Sequence, residues 1–537
     1  MQQGTARRYL GFLLACCATA AAGASTPLQS VFESIRGESA RVPAGADGRR
    51  LPLAASWNQG NLPLGFSPAY QIAQIDAGHY LLPWFGLSVP RPPAGATSNY
   101  PASTDAPDYY TAAIRYLAAH HLPLSFVTTQ FEALLSDVSA DYPQRTADGK
   151  AVALTPFGPV EPWQAVGKRW AQHPTLKRLQ QLYPDPPLVL FISNNERSKL
   201  GADDLHANYS PTASAQLLAR RRAIGDAWIL RYRALEHAWR AALDAPAWRA
   251  HAVFVGYDAF VSSALGRWGG WPQYSLCIPG RLEPWPAAWD GASVSYYVHD
   301  WAPDSDFTVW SPEVEAMNYV PALAQVRRSQ PNFWFELSSW DGQLPGRPTD
   351  KRLFYQQRGQ ELTATRYAGM VQFGMWLLRP RVVREFRNPE DDRVHFGRYF
   401  EALMAAVARV HEQATLRSFW RHGELVANPA GGHPYQAALP ADLAQSARWF
   451  LLDADLNPAR PWELTTALRV YALALQQGSA PQRRWLVYAF SPRDETLSTE
   501  VQIPQGPRVR VPAGSAGAFA LVSEDGSVRP LTSNTAS

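Results

Sequence analysis

Short apolar runs recur along this chain between longer stretches of helical periodicity, and few folds accept that alternation. Strands separated by helices make βα units, and βα units in series make a parallel sheet. Eight runs read as strands: Leu53–Trp57, Tyr80–Phe85, Leu122–Val127, Leu188–Ser193, Ala252–Tyr257, Ser293–Val298, Asn332–Leu337 and Gly369–Trp376. Helical patterns lie between them at Asp108–His120, Ala213–Ala245 and Ser311–Arg328, and Phe396–Arg421 reads as a last helix on the outside. Eight such units predict an α/β fold, a (β/α)8 TIM barrel over residues 51–425. Two stretches fit less well: Pro68–Gly78 is a short, poor helix, and Gly266–Gly291 is irregular and rich in Pro, Gly and Trp.

The character changes after about residue 445. Trp449–Leu452, Ala467–Leu475, Arg484–Phe490, Thr499–Ile503, Arg508–Val511 and Ala518–Val522 read as strands, with turn residues such as Ser491-Pro492-Arg493-Asp494 between them. In Arg484–Phe490 the residues Trp485, Val487 and Ala489 are expected on one face. The span 445–537 is therefore predicted to form a small β-sandwich packed on the barrel. A chain of 537 residues is long enough for both units.

The N-terminus reads as a signal peptide over residues 1–24. Arg7 and Arg8 precede the apolar stretch Leu10–Ala22, and Ala22-Gly23-Ala24 fits a small-x-small cleavage site. The apolar stretch is too short to span a bilayer, which needs roughly 20 residues. A lipoprotein beginning at Cys16 is the lesser alternative. The expected product is exported, periplasmic or extracellular, with residues 25–50 as a polar lead-in and no membrane contact beyond export. Cleavage after Ala24 leaves Cys277 as the one remaining cysteine of three, so neither an internal disulfide nor a cysteine-based zinc site is expected. The 12 His are scattered, and the adjacent pair His120-His121 reads as a helix end. Neither a metal nor an organic cofactor is implied.

Net charge is +4, from 50 basic and 46 acidic residues mixed along the chain, so no electrostatic footprint for nucleic acid exists. The 20 Trp and 22 Tyr offer flat apolar faces with polar edges, which match sugar rings as well as a large core. Trp268, Trp271, Tyr274, Trp285, Trp289, Trp301 and Trp310 fall in or near the irregular, Gly- and Pro-rich stretch and are candidates to line a sugar groove.

Two runs end in carboxylates. Leu188-Val189-Leu190-Phe191-Ile192 has no alternation, as in a strand buried on both faces, and it ends in Ser193-Asn194-Asn195-Glu196. Asn332-Phe333-Trp334-Phe335 likewise closes in Glu336. The C-terminal ends of barrel strands form the active-site face. Fourth and seventh strands would thus bring two carboxylates to one mouth, where a pair about 5–5.5 Å apart supports retaining glycoside hydrolysis.

With these motifs in place, the pattern resembles clan A glycoside hydrolases, over residues of about 50 to 420. The resemblance implies that Asn195 binds a sugar 2-hydroxyl, that Glu196 is the acid/base and that Glu336 is the nucleophile. It also implies a Tyr beside the nucleophile, either Tyr296 or Tyr297, and a sugar-stacking Trp at the end of the eighth strand, Trp376. Trp57, Asp258, His299 and Trp301 are further candidates for substrate contact. An Arg near the end of the second strand, frequent in the clan, is missing, with Arg91 the nearest. The implied reaction is double displacement on an oligo- or polysaccharide.

Other readings of the same residues stand beside this one. Glu196 would also suit a helix start, and Glu336 an ion pair with Arg381. Asp258, Asp300 and Asp341 follow strand ends too, as loop caps, hydroxyl-binding residues or rival catalysts. A barrel that binds carbohydrate without cleaving it, and a polysaccharide lyase using Tyr257 and His299, are the alternative functions.

Overall fold

In the computed structural model the described residues are 53–57, 81–87, 107–129, 144–145, 151–152, 159–194, 229–258, 290–296, 333–344, 346–359, 361–380, 382–386, 393–410, 412–426, 470–491 and 496–532. Eight strands form the centre: β1 (Leu53–Trp57), β2 (Leu81–Leu87), β3 (Leu124–Thr129), β4 (Val189–Asn194), β5 (Ala252–Asp258), β6 (Gly291–Tyr296), β7 (Phe333–Ser338) and β8 (Val382–Phe386). Each pairs in parallel with its neighbours, in the order β1-β8-β7-β6-β5-β4-β3-β2, and the ring closes into a barrel. Closure leaves no edge strand with unpaired backbone groups.

Helices described around the ring are α1 (Pro107–Ala119), α2 (Glu161–Ala171), α3 (Pro174–Leu182), α4 (229–241), α5 (Pro246–His251), α6 (Asp350–Gln356), α7 (Ala364–Leu378), α8 (Arg393–Arg409) and α9 (Ala414–His422). Local chemistry sets their ends. The side chains of Thr349 and Thr363 cap α6 and α7 by accepting from Arg352 N and Arg366 N, so each satisfies a donor the helix cannot. Arg379 ends α7 in the left-handed region, at φ 43°. On the helix side of the sheet, Phe126, Phe191 and Phe254 are register neighbours and stack across three strands. Trp239 of α4 packs on Phe191 and Phe254, and Trp248 of α5 packs on Phe126.

Seven of the expected strands lie within a few residues of the observed ones, and the eighth does not. Gly369–Trp376 is the middle of α7, and the eighth strand is Val382–Phe386. The expected single helix Phe396–Arg421 is two, α8 and α9, separated around residues 410–413. Of Ala213–Ala245, residues 229–241 are helical. Ser311–Arg328 and Trp449–Leu452 lie outside the described residues, as do the signal-peptide and lead-in residues. Among the described residues, no helix is long and apolar enough to cross a membrane.

The C-terminal strands are β9 (Glu424–Leu425), β10 (Tyr471–Gln477), β11 (Arg484–Phe490), β12 (Thr496–Gln502), β13 (Arg508–Gly514), β14 (Ala518–Ser523) and β15 (Val528–Leu531). They join in one seven-stranded sheet whose centre is β11, paired antiparallel with β10 and β14. The β12–β13 hairpin meets β11 at one register position, Phe490 opposite Gly514. Here another expectation changes: Trp485, Val487 and Ala489 share one face of β11, but burial does not alternate along it, because Trp485 through Phe490 are all buried.

One reason is that the sheet packs on α7. Tyr488 Oη donates to Gly369 O at 2.7 Å, and Phe373 lies against Tyr471 and Tyr488. A Cβ at Gly369 would overlap Ser515 O and the Phe490 ring, so only glycine allows this approach. α7 is thus covered from two sides, and its residues from Gly369 to Leu378 are all buried.

Candidate active site

The mouth of the barrel is the C-terminal edge of its strands, and Glu336 stands on β7 near that edge. Its register partners are Ser295 on β6 and Arg384 on β8. Counting by twos from the Phe126–Phe191–Phe254 ladder, which marks the helix side, divides the ring into two sets of positions. The set on the opposite, interior side includes Trp57, Trp84, Thr129, Asn194, Tyr257, Ser295, Glu336 and Arg384. The parity agrees through all eight pairings. Glu336 therefore occupies an interior position between a serine and an arginine position, and Asn194 ends β4 on the same side.

The chain beyond Glu336 is tied down tightly. Leu337 to Gly342 are buried. Tyr367 Oη of α7 donates to Ser338 O at 2.8 Å, and Trp340 N donates to Ser338 Oγ at 3.2 Å. Asp341, 3% exposed, accepts from Gln343 N at 2.9 Å and pairs with Arg352 Nη1 at 3.0 Å and Arg398 Nη2 at 3.6 Å. Arg352 Nη2 also reaches Glu361 Oε1 at 2.9 Å. Nearby, Tyr399 Oη donates to Leu362 O at 2.6 Å, and burial pushes its phenol above the ordinary range. Asp341 thus caps the turn after β7 and balances two guanidinium groups. Its place among the rival catalysts gives way to that structural role, since both its oxygens are engaged.

The other sequence candidates divide into three groups. Asn195, Glu196, Tyr297, His299, Asp300, Trp301, Arg91, Arg381, Cys277 and the aromatic cluster from Trp268 to Trp289, with Trp310, lie outside the described residues. Trp57 and Tyr257 hold interior positions, whereas Asp258 and Tyr296 hold helix-side ones, Tyr296 in register with Leu337. That register makes Tyr296 the weaker of the two tyrosine candidates beside Glu336. Trp376 is the clear correction: it sits in α7, fully buried, with its ring 5.1 Å from those of Trp420 and Phe519. Its Nε1 donates to Gln372 Oε1 at 2.9 Å, so this tryptophan belongs to the contact between barrel and C-terminal sheet. Arg384 was missed for the same reason: the eighth strand was expected in the wrong segment. The signal for it was there, because Val382-Val383-Arg384-Glu385-Phe386 follows the helix-stopping Arg379-Pro380.

Among the described residues no group of His, Cys, Asp and Glu is arranged to hold a metal ion. No family model matches the chain, and no curated protein matches it. Solved structures show distant likenesses. One is a Bacteroides fragilis protein provisionally named an alpha-galactosidase, at 10% identity and a TM-score of 0.37, covering 91% of this chain and 81% of its own. A maltogenic alpha-amylase of Thermotoga neapolitana is 10% identical with a TM-score of 0.30, covering 95% of this chain and 94% of its own. A GH51 arabinofuranosidase of Xanthomonas axonopodis pv. citri is 11% identical with a TM-score of 0.30, covering 92% of this chain and 96% of its own. All three are named for action on glycosides, and at such scores the likeness identifies neither family nor activity.

Proposed function

We propose that the protein is a retaining glycoside hydrolase of clan A, exported after cleavage near Ala24. Its catalytic unit is a (β/α)8 barrel over 51–425, and residues 445–537 form an accessory β-sandwich. The observation that supports this most is the position of Glu336 on the interior side of β7, near the mouth of a closed parallel barrel. β4, which leads into Asn195-Glu196, lies three strands away along the ring and ends at the same mouth.

In this reading Glu336 attacks the anomeric carbon and forms a glycosyl-enzyme. Glu196 protonates the leaving oxygen and then takes the proton of the incoming water. The scheme needs Glu336 ionised and Glu196 protonated at the start. The approach of two carboxylates raises the pKa of one of them, which is a route to that split. Asn195 holds the sugar 2-hydroxyl, and the substrate is an oligo- or polysaccharide.

The test is a pair of alanine variants measured on aryl glycosides and on a polysaccharide panel. Glu336→Ala is expected to abolish turnover of every substrate the wild type accepts. Glu196→Ala is expected to lose about 10²–10⁴-fold on natural glycosides. It should lose much less in the first step on activated aryl glycosides, and azide should restore its turnover. Wild-type activity in both variants, or a wild type inert on the whole panel, overturns the proposal.

A further inference from the structure

Two carboxylates share one guanidinium at the base of the barrel, on the side away from the mouth. Glu236 and Arg240 lie one turn apart on α4. Arg240 Nη2 reaches Glu236 Oε1 at 2.7 Å and Asp290 Oδ2 at 2.5 Å. Arg240 Nη1 donates to Ala252 O, the first residue of β5. Asp290 immediately precedes β6. Its Oδ2 accepts from Phe254 N at 3.1 Å, and its N–H donates to Phe254 O at 2.9 Å. One cluster therefore joins α4, the start of β5 and the chain entering β6.

Glu236 and Asp290 draw on the same guanidinium nitrogen, Nη2 of Arg240. Glu236 is 2% exposed, and its Oε2 has no hydrogen-bond partner among the described residues. A bare, buried carboxylate oxygen is costly. A proton on Oε2 removes the charge from that bare oxygen and leaves Oε1 free to accept from Arg240. Among the described residues, the further charged group acting on Glu236 besides Arg240 and Asp290 is Arg233 of the same helix.

We propose that Glu236, Arg240 and Asp290 form a proton-operated latch: protonated Glu236 fastens α4 to the base of β5 and β6, and its ionisation loosens that attachment. Burial, then the nearby Asp290, push the Glu236 carboxyl from 4.5 up to about 7, against the pull of Arg240. The sign follows from linkage. Below the ordinary carboxyl range both folded and unfolded chains hold the proton. Between that range and about 7 only the folded chain holds it, so stability falls as pH rises through this window and levels off above it.

The experiment compares wild type with Glu236→Gln, which is neutral at every pH, by thermal unfolding from about pH 4 to about pH 9. The two are expected to melt together in acid, with the wild type falling progressively below the variant as pH rises from 4.5 to about 7 and staying below it by a constant margin beyond. Hydrogen exchange of residues 236–241 and 252–255, corrected for intrinsic rates, should quicken over the same range in the wild type alone. Asp290→Asn should shift the step to lower pH, because one of the two competing charges is gone. Parallel melting curves for wild type and Glu236→Gln overturn the proposal. If Glu236→Gln does not fold, the Asp290→Asn shift and the infrared carbonyl band of a protonated carboxyl in the wild type decide. An unshifted step, or no such band in weak acid, also overturns it.

Discussion

Trp376→Ala should damage the protein as a removed piece of core does, and not as a removed sugar platform does. The indole is fully buried and touches Trp420 on α9 and Phe519 on β14, so it bridges the barrel and the C-terminal sheet. A buried tryptophan removes roughly 150–250 Å² from water. At about 25 cal/mol per Å² that is worth roughly 4–6 kcal/mol as an upper bound. Truncations of buried Trp and Phe to Ala typically cost about 3–5 kcal/mol once the cavity relaxes. Gln372 Oε1 also loses its donor, while Gln372 Nε2 keeps its bond to Ala406 O, which adds about 1 kcal/mol. A loss of about 4–6 kcal/mol is expected overall. Trp376→Phe keeps most of the ring contact and should lose about 1–2 kcal/mol. Urea unfolding followed by far-UV circular dichroism gives the shift in midpoint. The reasoning fails if Trp376→Ala unfolds at the wild-type midpoint, and most plainly so if it has lost carbohydrate binding as well.

Two further outcomes follow from neighbouring contacts. Gly369→Ala should cost about 1–3 kcal/mol or more by overpacking, because Ser515 O is backbone and the Phe490 ring is buried; differential scanning calorimetry would show it as a lower melting temperature. Asp341→Ala should cost about 1–3 kcal/mol, since it removes the cap on Gln343 N and one of the two carboxylates on Arg352, which keeps Glu361. Asp341→Asn should recover the part due to the cap, read from the same melts.

Most of the barrel was legible because its strands are buried on both faces and show as unbroken apolar runs, as in Val189-Leu190-Phe191-Ile192. The same rule misled at α7. Ala364–Leu378 is covered by the barrel on one side and by β10, β11 and β14 on the other, so its apolar positions show little helical period. A helix apolar all round and a buried strand look alike in one sequence. The true eighth strand carries Arg384 and Glu385 among five residues, which hid it. Losing that strand also lost Arg384, whose place beside Glu336 depends on register across strands far apart in sequence. In β11 the expectation of alternation failed because contact with α7 covers a face that a free sandwich would leave wet. Asp341 was legible as a post-strand carboxylate, but its partners Arg352 and Arg398 come from two later helices that no local pattern links to it.

The double covering of α7 has a consequence for how the chain is made. β1 can close the ring only when β8 has been synthesised, since Leu53 pairs with Val382. Even then the outward flank of α7, with Gly369, Phe373 and Trp376, stays bare until residues 471–523 emerge to supply Tyr471, Tyr488, Phe490 and Phe519. A nascent chain paused between these points would carry a nearly complete barrel with an uncovered aromatic seam, the kind of surface that recruits chaperones or neighbouring chains. Translation of the last strands is thus the committing step for the whole molecule, although they carry none of the candidate catalytic residues.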